Sequence, residues 1–152
     1  MKKKDMMVRI VFGLILCALI CGCANSAPRF TLDDGEGVYT YTNETSKDQK
    51  TSYYLAEEWL SINIANANKV ITLRQPETGT LIANPQMQIP MALTMLWCSY
   101  SLKIVCLDNQ VITKFTVGKL ESGAYPPKNS MPEIQEICQQ LSSDLQKYIN
   151  NN

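Results

Sequence analysis

The stretch Leu96-Trp97-Cys98-Ser99-Tyr100-Ser101-Leu102-Lys103-Ile104-Val105-Cys106-Leu107 is followed by Asp108-Asn109 and then by Gln110-Val111-Ile112-Thr113-Lys114-Phe115-Thr116-Val117. In both runs apolar residues alternate with mostly polar ones, which is the period-two pattern of a strand with one buried face. Asp and Asn both tolerate positive φ, so Asp108-Asn109 suits a two-residue type I′ turn. The stretch therefore predicts a β-hairpin with one buried face.

A two-residue turn also fixes which residues of the two strands face each other. The buried face should pair Cys106 with Val111, Ile104 with Thr113, Leu102 with Phe115, and Tyr100 with Val117. The other face should pair Trp97 with Leu120, Ser99 with Gly118, Ser101 with Thr116, Lys103 with Lys114, and Val105 with Ile112. A slip of one residue would move the whole apolar set to the wrong face, so the pattern specifies this register.

The outward face of the hairpin is a candidate binding surface, because it combines a tryptophan with hydroxyl side chains and two lysines. The alternative is an ordinary solvated face on which the loop 121–129 covers Trp97. The candidate residues are Trp97, Ser99, Ser101, Lys103, Lys114 and Thr116.

Length and composition indicate one folded domain. The chain has 152 residues, of which 45% are hydrophobic and 18% charged, which excludes a disordered chain. Ten basic and 13 acidic residues follow Cys23, a net charge of about −3, and histidine is absent. Nothing in this balance favours nucleic acid, which selects a basic patch.

The first 22 residues have the pattern of a lipoprotein signal peptide. Lys2-Lys3-Lys4 precede an apolar run from Ile10 to Ile20, which is too short to span a bilayer comfortably. Ile20-Cys21-Gly22-Cys23 resembles the box in which the last cysteine receives acyl chains, including palmitate, and Cys21 is the poorer acceptor because Ile20 precedes it. The alternative is a plain secretory signal.

The segment after the lipidation cysteine indicates where the protein is anchored. Residues 23–37 form the lipidated Cys23 and a short tether, and 38–152 form the domain. Ala24 to Pro28 lack the aspartate of an inner-membrane retention signal and the acidic cluster of a surface-export signal. The expected address is therefore the outer membrane, facing the periplasm.

The region before the hairpin predicts one strand, one helix and two further strands. Val38 to Thr42 is rich in β-forming residues. A helix should begin near Thr51 or Ser52 as N-cap, bury Leu55, Trp59 and Ile62, and end at 66–68. Strands should follow at 69–74 and from 80 to 83. The prolines at 85 and 90 predict that the continuation of the third strand is irregular or lies at an edge.

The region after the hairpin predicts a loop and a final helix. Ser130 should cap this helix, with Pro132 early in it and Glu133 completing a capping box. Its apolar stripe repeats at helical spacing and contains Ile134, Ile137, Cys138, Leu141, Leu145, Tyr148 and Ile149.

Together these elements predict an α+β fold in the order strand, helix, four strands, helix. Two amphipathic helices must bury their apolar stripes, so both should pack on one face of an antiparallel sheet of about five strands.

At this point the region from Val38 to Ile149 resembles the bacterial "domain of unknown function 4468" family. The resemblance is carried by Tyr53 to Trp59, the strand at Val70-Ile71, the turn Glu77-Thr78-Gly79, the hairpin turn and the long last helix. It implies a TBP-like fold and an envelope lipoprotein of gut-type anaerobes. The family carries no established catalytic residues.

The residues that could carry chemistry do not form a recognisable catalytic set. Cys98 and Cys106 lie on one strand face roughly 26 Å apart, so they cannot pair with each other. Cys138 could meet one of them, or all three thiols could be buried and free. A catalytic thiol needs a base, and the usual histidine is missing. We expect no metal and no cofactor.

Two classes of function remain open at this level. The first is a non-enzymatic binding or scaffolding lipoprotein of the envelope, with a protein or glycan partner. The second is a hydrolase that cleaves envelope or dietary glycan with two carboxylates. A cleft containing two converging carboxylates would favour the enzyme, whereas an open sheet face would favour binding.

Overall fold

The computed structural model describes residues 37–91 and 94–152. The predicted signal peptide, the lipidation site Cys23 and nearly all of the tether lie outside the described residues. No helix of the described part of the chain is both long enough and apolar enough to cross a membrane.

Six strands form one antiparallel sheet. They are β1 (Val38–Glu44), β2 (Ile71–Gln75), β3 (Thr80–Ala83), β4 (Gln86–Met91), β5 (Thr94–Leu107) and β6 (Gln110–Leu120). The helices are α1 (Gln49–Asn63), the short α2 (Ala67–Val70) and α3 (Met131–Asn151), with 3-10 turns at Pro76–Thr78 and Lys128–Ser130.

The sheet order is β1-β6-β5-β3-β2, and β4 pairs with β5 off this path. The long strand β5 therefore has two neighbours on one side, because β3 pairs with its later half and β4 with its beginning. Asn84-Pro85 separates these two strands. The predicted third strand is thus two strands, which raises the count from about five to six. The expected edge position holds for β4, whereas β3 lies between β2 and β5.

The core lies between the helices and one face of the sheet. Inward side chains of the central hairpin, such as Leu102, Ile104 and Phe115, are at most 1% exposed. They pack with Tyr53, Ala56, Trp59 and Leu60 of α1 and with Ile134, Cys138, Leu145 and Ile149 of α3. The predicted α+β class with helices on one face is confirmed.

The predicted hairpin register is confirmed from Tyr100 to the turn and is wrong before Tyr100. Tyr100 opposes Val117, Leu102 opposes Phe115 and Cys106 opposes Val111, but Cys98 opposes Leu120. β6 therefore contains one extra residue at the level of Ser99, which is a β-bulge. The predicted pairing of Trp97 with Leu120 and of Ser99 with Gly118 is lost.

The turn of the hairpin is not type I′. Asn109 has φ 59° but Asp108 does not have a positive φ, and a type I′ turn needs both. The segment at the start of α1 binds this turn. Asp108 Oδ1 accepts from Gln49 N–H at 2.9 Å, and Asn109 N–H donates to Lys47 C=O at 2.9 Å. Tertiary contacts thus determine its shape.

The first helix begins earlier than predicted and faces a different way. Asp48 is the N-cap, because its carboxylate accepts from the Thr51 N–H and hydroxyl, each at 2.9 Å. The helix ends at Asn63, and the buried face is centred on Ala56 and Leu60. Ile62 falls off this face and is 63% exposed.

The last helix matches its predicted stripe but not its predicted cap. Ser130 has helical backbone angles and makes no side-chain cap. Its hydroxyl instead donates to Pro127 C=O at 2.8 Å, closing the preceding 3-10 turn. The expected capping box with Glu133 is therefore wrong.

Candidate functional site

The outward face of the sheet is open. Among the described residues both long helices pack on the opposite face, and side chains that point outward from β5 and β6 are exposed or half-buried. This is the face on which sequence patterning places the candidate binding residues.

Four of the six candidate residues form two adjacent rows. Ser101 opposes Thr116, and Lys103 opposes Lys114, as predicted. Both lysines are exposed, and neither forms an ion pair with a described residue. Like charges directly opposite on a sheet are destabilising, so an anionic partner would relieve a repulsion that the fold tolerates.

Ser99 does not present its hydroxyl as a free group on this face. Its Oγ accepts from Lys119 N–H and donates to Lys119 C=O, both at 2.9 Å. A Cβ at Gly118 would lie 2.5 Å from this Oγ, so glycine is required where the bulge brings the strands together. Ser99 therefore has a structural role in the bulge.

Trp97 lies apart from the lysine row. It is 41% exposed, so the expected cover by the loop 121–129 is at most partial. It opposes Gln88 of β4, and six residues of strand separate it from Lys103, roughly 20 Å. The six predicted residues thus do not form one cluster.

A cleft of about 800 Å³ opens beside β4. One wall is the connection from Asn63 to Val70, the other is Asn84 to Gln88, and Ile137 and Leu141 close the helix side. This is an ordinary size for a ligand site.

The cleft exists because β2, the neighbour of β3, does not continue beyond Asn84-Pro85, where β3 ends and β4 begins. Asn84 N–H still bonds Val70 C=O at 2.9 Å, but residues 67–70 are helical, so nothing extends β2 alongside β4. Among the described residues β4 pairs only with β5. The cleft therefore occupies the position of a missing strand.

The lining is apolar on the helix side and amide-rich elsewhere. Ile64, Met87 and Tyr100 contribute apolar surface, and five Asn or Gln side chains contribute hydrogen-bonding groups. Among the described residues that line the cleft, Lys69 is the single charged one, and none is Asp or Glu.

Tyr100 provides an unpartnered polar group at this cleft. It is 5% exposed, and burial raises the pKa of its hydroxyl. Its ring stacks on Phe115 with centroids 6.0 Å apart, and no described residue hydrogen-bonds its hydroxyl. The fully buried, unpartnered side-chain oxygens of the described chain are Thr45 Oγ1 and Ser52 Oγ, so the Tyr100 hydroxyl still reaches solvent and is available to a ligand.

The cysteines are not a chemical site. Cys98, Cys106 and Cys138 are all free and buried, as expected for Cys106, and no disulfide joins them. Burial raises the thiol pKa of Cys98 to about 11 and of Cys106 and Cys138 to about 12. The described residues contain no group of three or more potential metal ligands.

Pattern reasoning alone does not find the cleft. The alternation of Gln86, Met87, Gln88 and Ile89 and the proline at 85 indicate an irregular strand near an edge. The gap arises because β2 begins at Ile71 and does not reach β4. This depends on pairing between segments that are distant in sequence.

The sheet order and the one-sided helices define a TBP-like fold. A TBP-like protein from Parabacteroides distasonis ATCC 8503 shares it, with a TM-score of 0.58 and 13% identity, over 82% of this chain and 97% of that one. A DUF4468 family protein from Bacteroides ovatus ATCC 8483 gives a TM-score of 0.56 and 11% identity, over 83% and 91%.

The expected fold is thus confirmed by solved structures. At these identities the likeness shows the fold alone. No family model and no curated protein matches the sequence.

Proposed function

We propose that this chain is a non-enzymatic binding or scaffolding module of the bacterial envelope. A lipid on Cys23 tethers it to the outer membrane, facing the periplasm. The support for the address is the conjunction of a basic start, a short apolar run and Gly22-Cys23 behind Ile20. Two or more acyl chains suffice for stable anchoring.

The observation that carries the binding role is the open face of the sheet. It presents the rows Ser101–Thr116 and Lys103–Lys114, and the lysine pair has no acidic partner among the described residues. An uncompensated pair of exposed cations favours an anionic or acidic contact surface on the partner, through complementarity of charge.

The alternative of a carboxylate-dependent glycan hydrolase gains no support from the cleft. A glycosidase needs two carboxyl groups within about 5–10 Å flanking the bond that breaks, whereas none of the cleft's described lining residues is acidic. The buried cysteines also make poor nucleophiles, because their raised pKa values keep them as thiols near neutral pH.

A photo-crosslinking amino acid at Ser101 tests this function in cells that produce the full chain. We expect a discrete adduct from Ser101, and a weaker one when Lys103 and Lys114 are both changed to Glu. The matched control is the same probe at Gln139, an exposed position on α3, which is on the opposite side of the sheet. Equal adducts at both positions, or none at Ser101, would overturn the proposal.

A further inference from the structure

The hydrogen-bonding pattern of β4 shows which of its backbone groups face β5 and which face the cleft. Tyr100 N–H bonds Pro85 C=O at 3.0 Å, which makes 85 and 100 a hydrogen-bonded pair. Hydrogen-bonded and non-bonded pairs alternate along an antiparallel ladder, and the register continues unbroken to Met91. The backbone groups of 87 and 89 therefore face β5, and those of 86, 88 and 90 face the cleft.

The proline in β4 agrees with this assignment. Pro90 has no N–H, and at position 90 the missing donor lies on the open edge, where it breaks no bond to β5. Gln86 and Gln88 each present to the cleft a backbone N–H and C=O that pair with no described strand.

We propose that the cleft beside β4 binds an extended peptide segment of a partner protein, which adds to the sheet as a strand beside β4. This deepens the binding role proposed above but does not depend on the lipid anchor. Strand addition uses backbone hydrogen bonds for affinity and alternate side-chain pockets for selectivity. The six residues of β4 offer roughly 20 Å of edge.

The residues that line the cleft determine which side chains the bound peptide should have. Side chains directed to the helix side meet Ile64, Ile137 and Leu141, so they should be apolar. Those directed outward meet Gln86, Gln88 and Trp97, so they can be polar or aromatic. Lys69 is the only charged residue among the described lining residues, so a neutral or acidic segment fits and a basic one does not. The Tyr100 hydroxyl offers one further hydrogen bond.

A peptide selection with two matched variants tests the proposal. Residues 24–152 are used to select from a random heptapeptide display library, and the enriched peptides are measured by fluorescence polarisation. Gln88→Pro removes the edge N–H, and Gln88→Ala removes only the side chain. We expect Gln88→Pro to weaken binding about tenfold relative to Gln88→Ala, through the lost hydrogen bond and the ring at the edge.

Amide hydrogen exchange keeps the test decisive if Gln88→Pro unfolds. In the free wild-type chain the amides of Gln86 and Gln88 should exchange fast while those of Met87 and Ile89 are protected. Peptide should slow Gln86 and Gln88 selectively.

Two results would overturn strand addition. In one, Gln86 and Gln88 are already protected in the free chain, because the chain itself or a second copy then covers the edge. In the other, peptides bind both variants equally or none is enriched. Either leaves the sheet-face role and the lipid anchor untouched, since those rest on other residues.

Discussion

Cys98, Cys106 and Cys138 illustrate how burial decides the chemistry of a residue. Each thiol is enclosed by the apolar core between the sheet and the helices, and desolvation is the main cause of its raised pKa. They contribute packing as small apolar side chains.

The thiols should therefore be inert in the folded protein. We expect no labelling of these three cysteines by an alkylating reagent at pH 8, and complete labelling in denaturant, read by mass spectrometry. Each thiol has a higher pKa in the folded chain than in the unfolded chain. Its contribution to the stability of the fold is therefore fully present below about pH 9. That contribution should be lost as the pH rises through about 11 to 12. Rapid labelling of Cys106 without denaturant would contradict its burial.

Leu102 tests the packing of the central hairpin. It is 1% exposed and opposes Phe115 in the buried layer. Leu102→Ala should lower the free energy of unfolding by about 2–5 kcal/mol through the cavity it leaves. The neighbouring Lys103 side chain points outward, so Lys103→Ala should change the free energy of unfolding by less than about 0.5 kcal/mol. Similar urea midpoints for the two variants would refute the assignment of faces.

At the scale of elements, α3 is held against β1 and β6 by polar contacts as well as by its stripe. Asn43 Nδ2 donates to Ser142 Oγ at 2.8 Å, and the Ser142 and Thr113 hydroxyls are 2.7 Å apart. Thr113 and Ser142 are at most 2% exposed. A polar network of this kind fixes the position of the helix along the sheet.

Removing Ser142 should loosen this docking. Ser142→Ala removes the partner of the buried Thr113 hydroxyl and leaves Asn43 Nδ2 with only its 3.3 Å bond to the Ser142 C=O, so it should cost about 1–3 kcal/mol in thermal or chemical unfolding. Ser143→Ala, one residue along the same helix and without a side-chain bond to the sheet, is the control. Equal effects would show that the network contributes nothing specific.

The elements that follow a local rule were predictable from sequence. The hairpin pairing near the turn follows from strict alternation, and the α3 stripe follows from helical spacing. The bulge at Gly118, the Asp48 cap and the φ of Asp108 were not, because each depends on contacts with a distant segment. Ile62 was misplaced because a helix of mixed composition allows more than one buried face.

At the scale of the molecule, the class and the one-sided layering follow from two amphipathic helices and an alternating hairpin. The candidate site is only partly predictable: alternation predicts the lysine row, but it groups Trp97 and Ser99 with that row, whereas the structure places both at the cleft. The cleft results because β2 begins at Ile71, opposite Ala83, so that no described strand lies beside β4, which begins at Gln86. Single-sequence patterns do not carry that information.

The proposed tether also sets the working range of the whole molecule. The segment from Cys23 to Gly37 reaches at most roughly 50 Å at full extension. Partners of the sheet face must then be close to the membrane or come to it. Cys23 precedes every described element, so Cys23→Ser should leave the domain folded while abolishing attachment of lipid.

Mass spectrometry of the mature N-terminus, on protein recovered from the membrane fraction, tests the tethered binding module most directly. The expected result is a chain that begins at Cys23 and carries diacylglycerol, with the Cys23→Ser variant folded but lacking lipid. A mature chain that begins at another residue, or a wild-type protein that stays in the supernatant after the membranes are pelleted, would contradict the account.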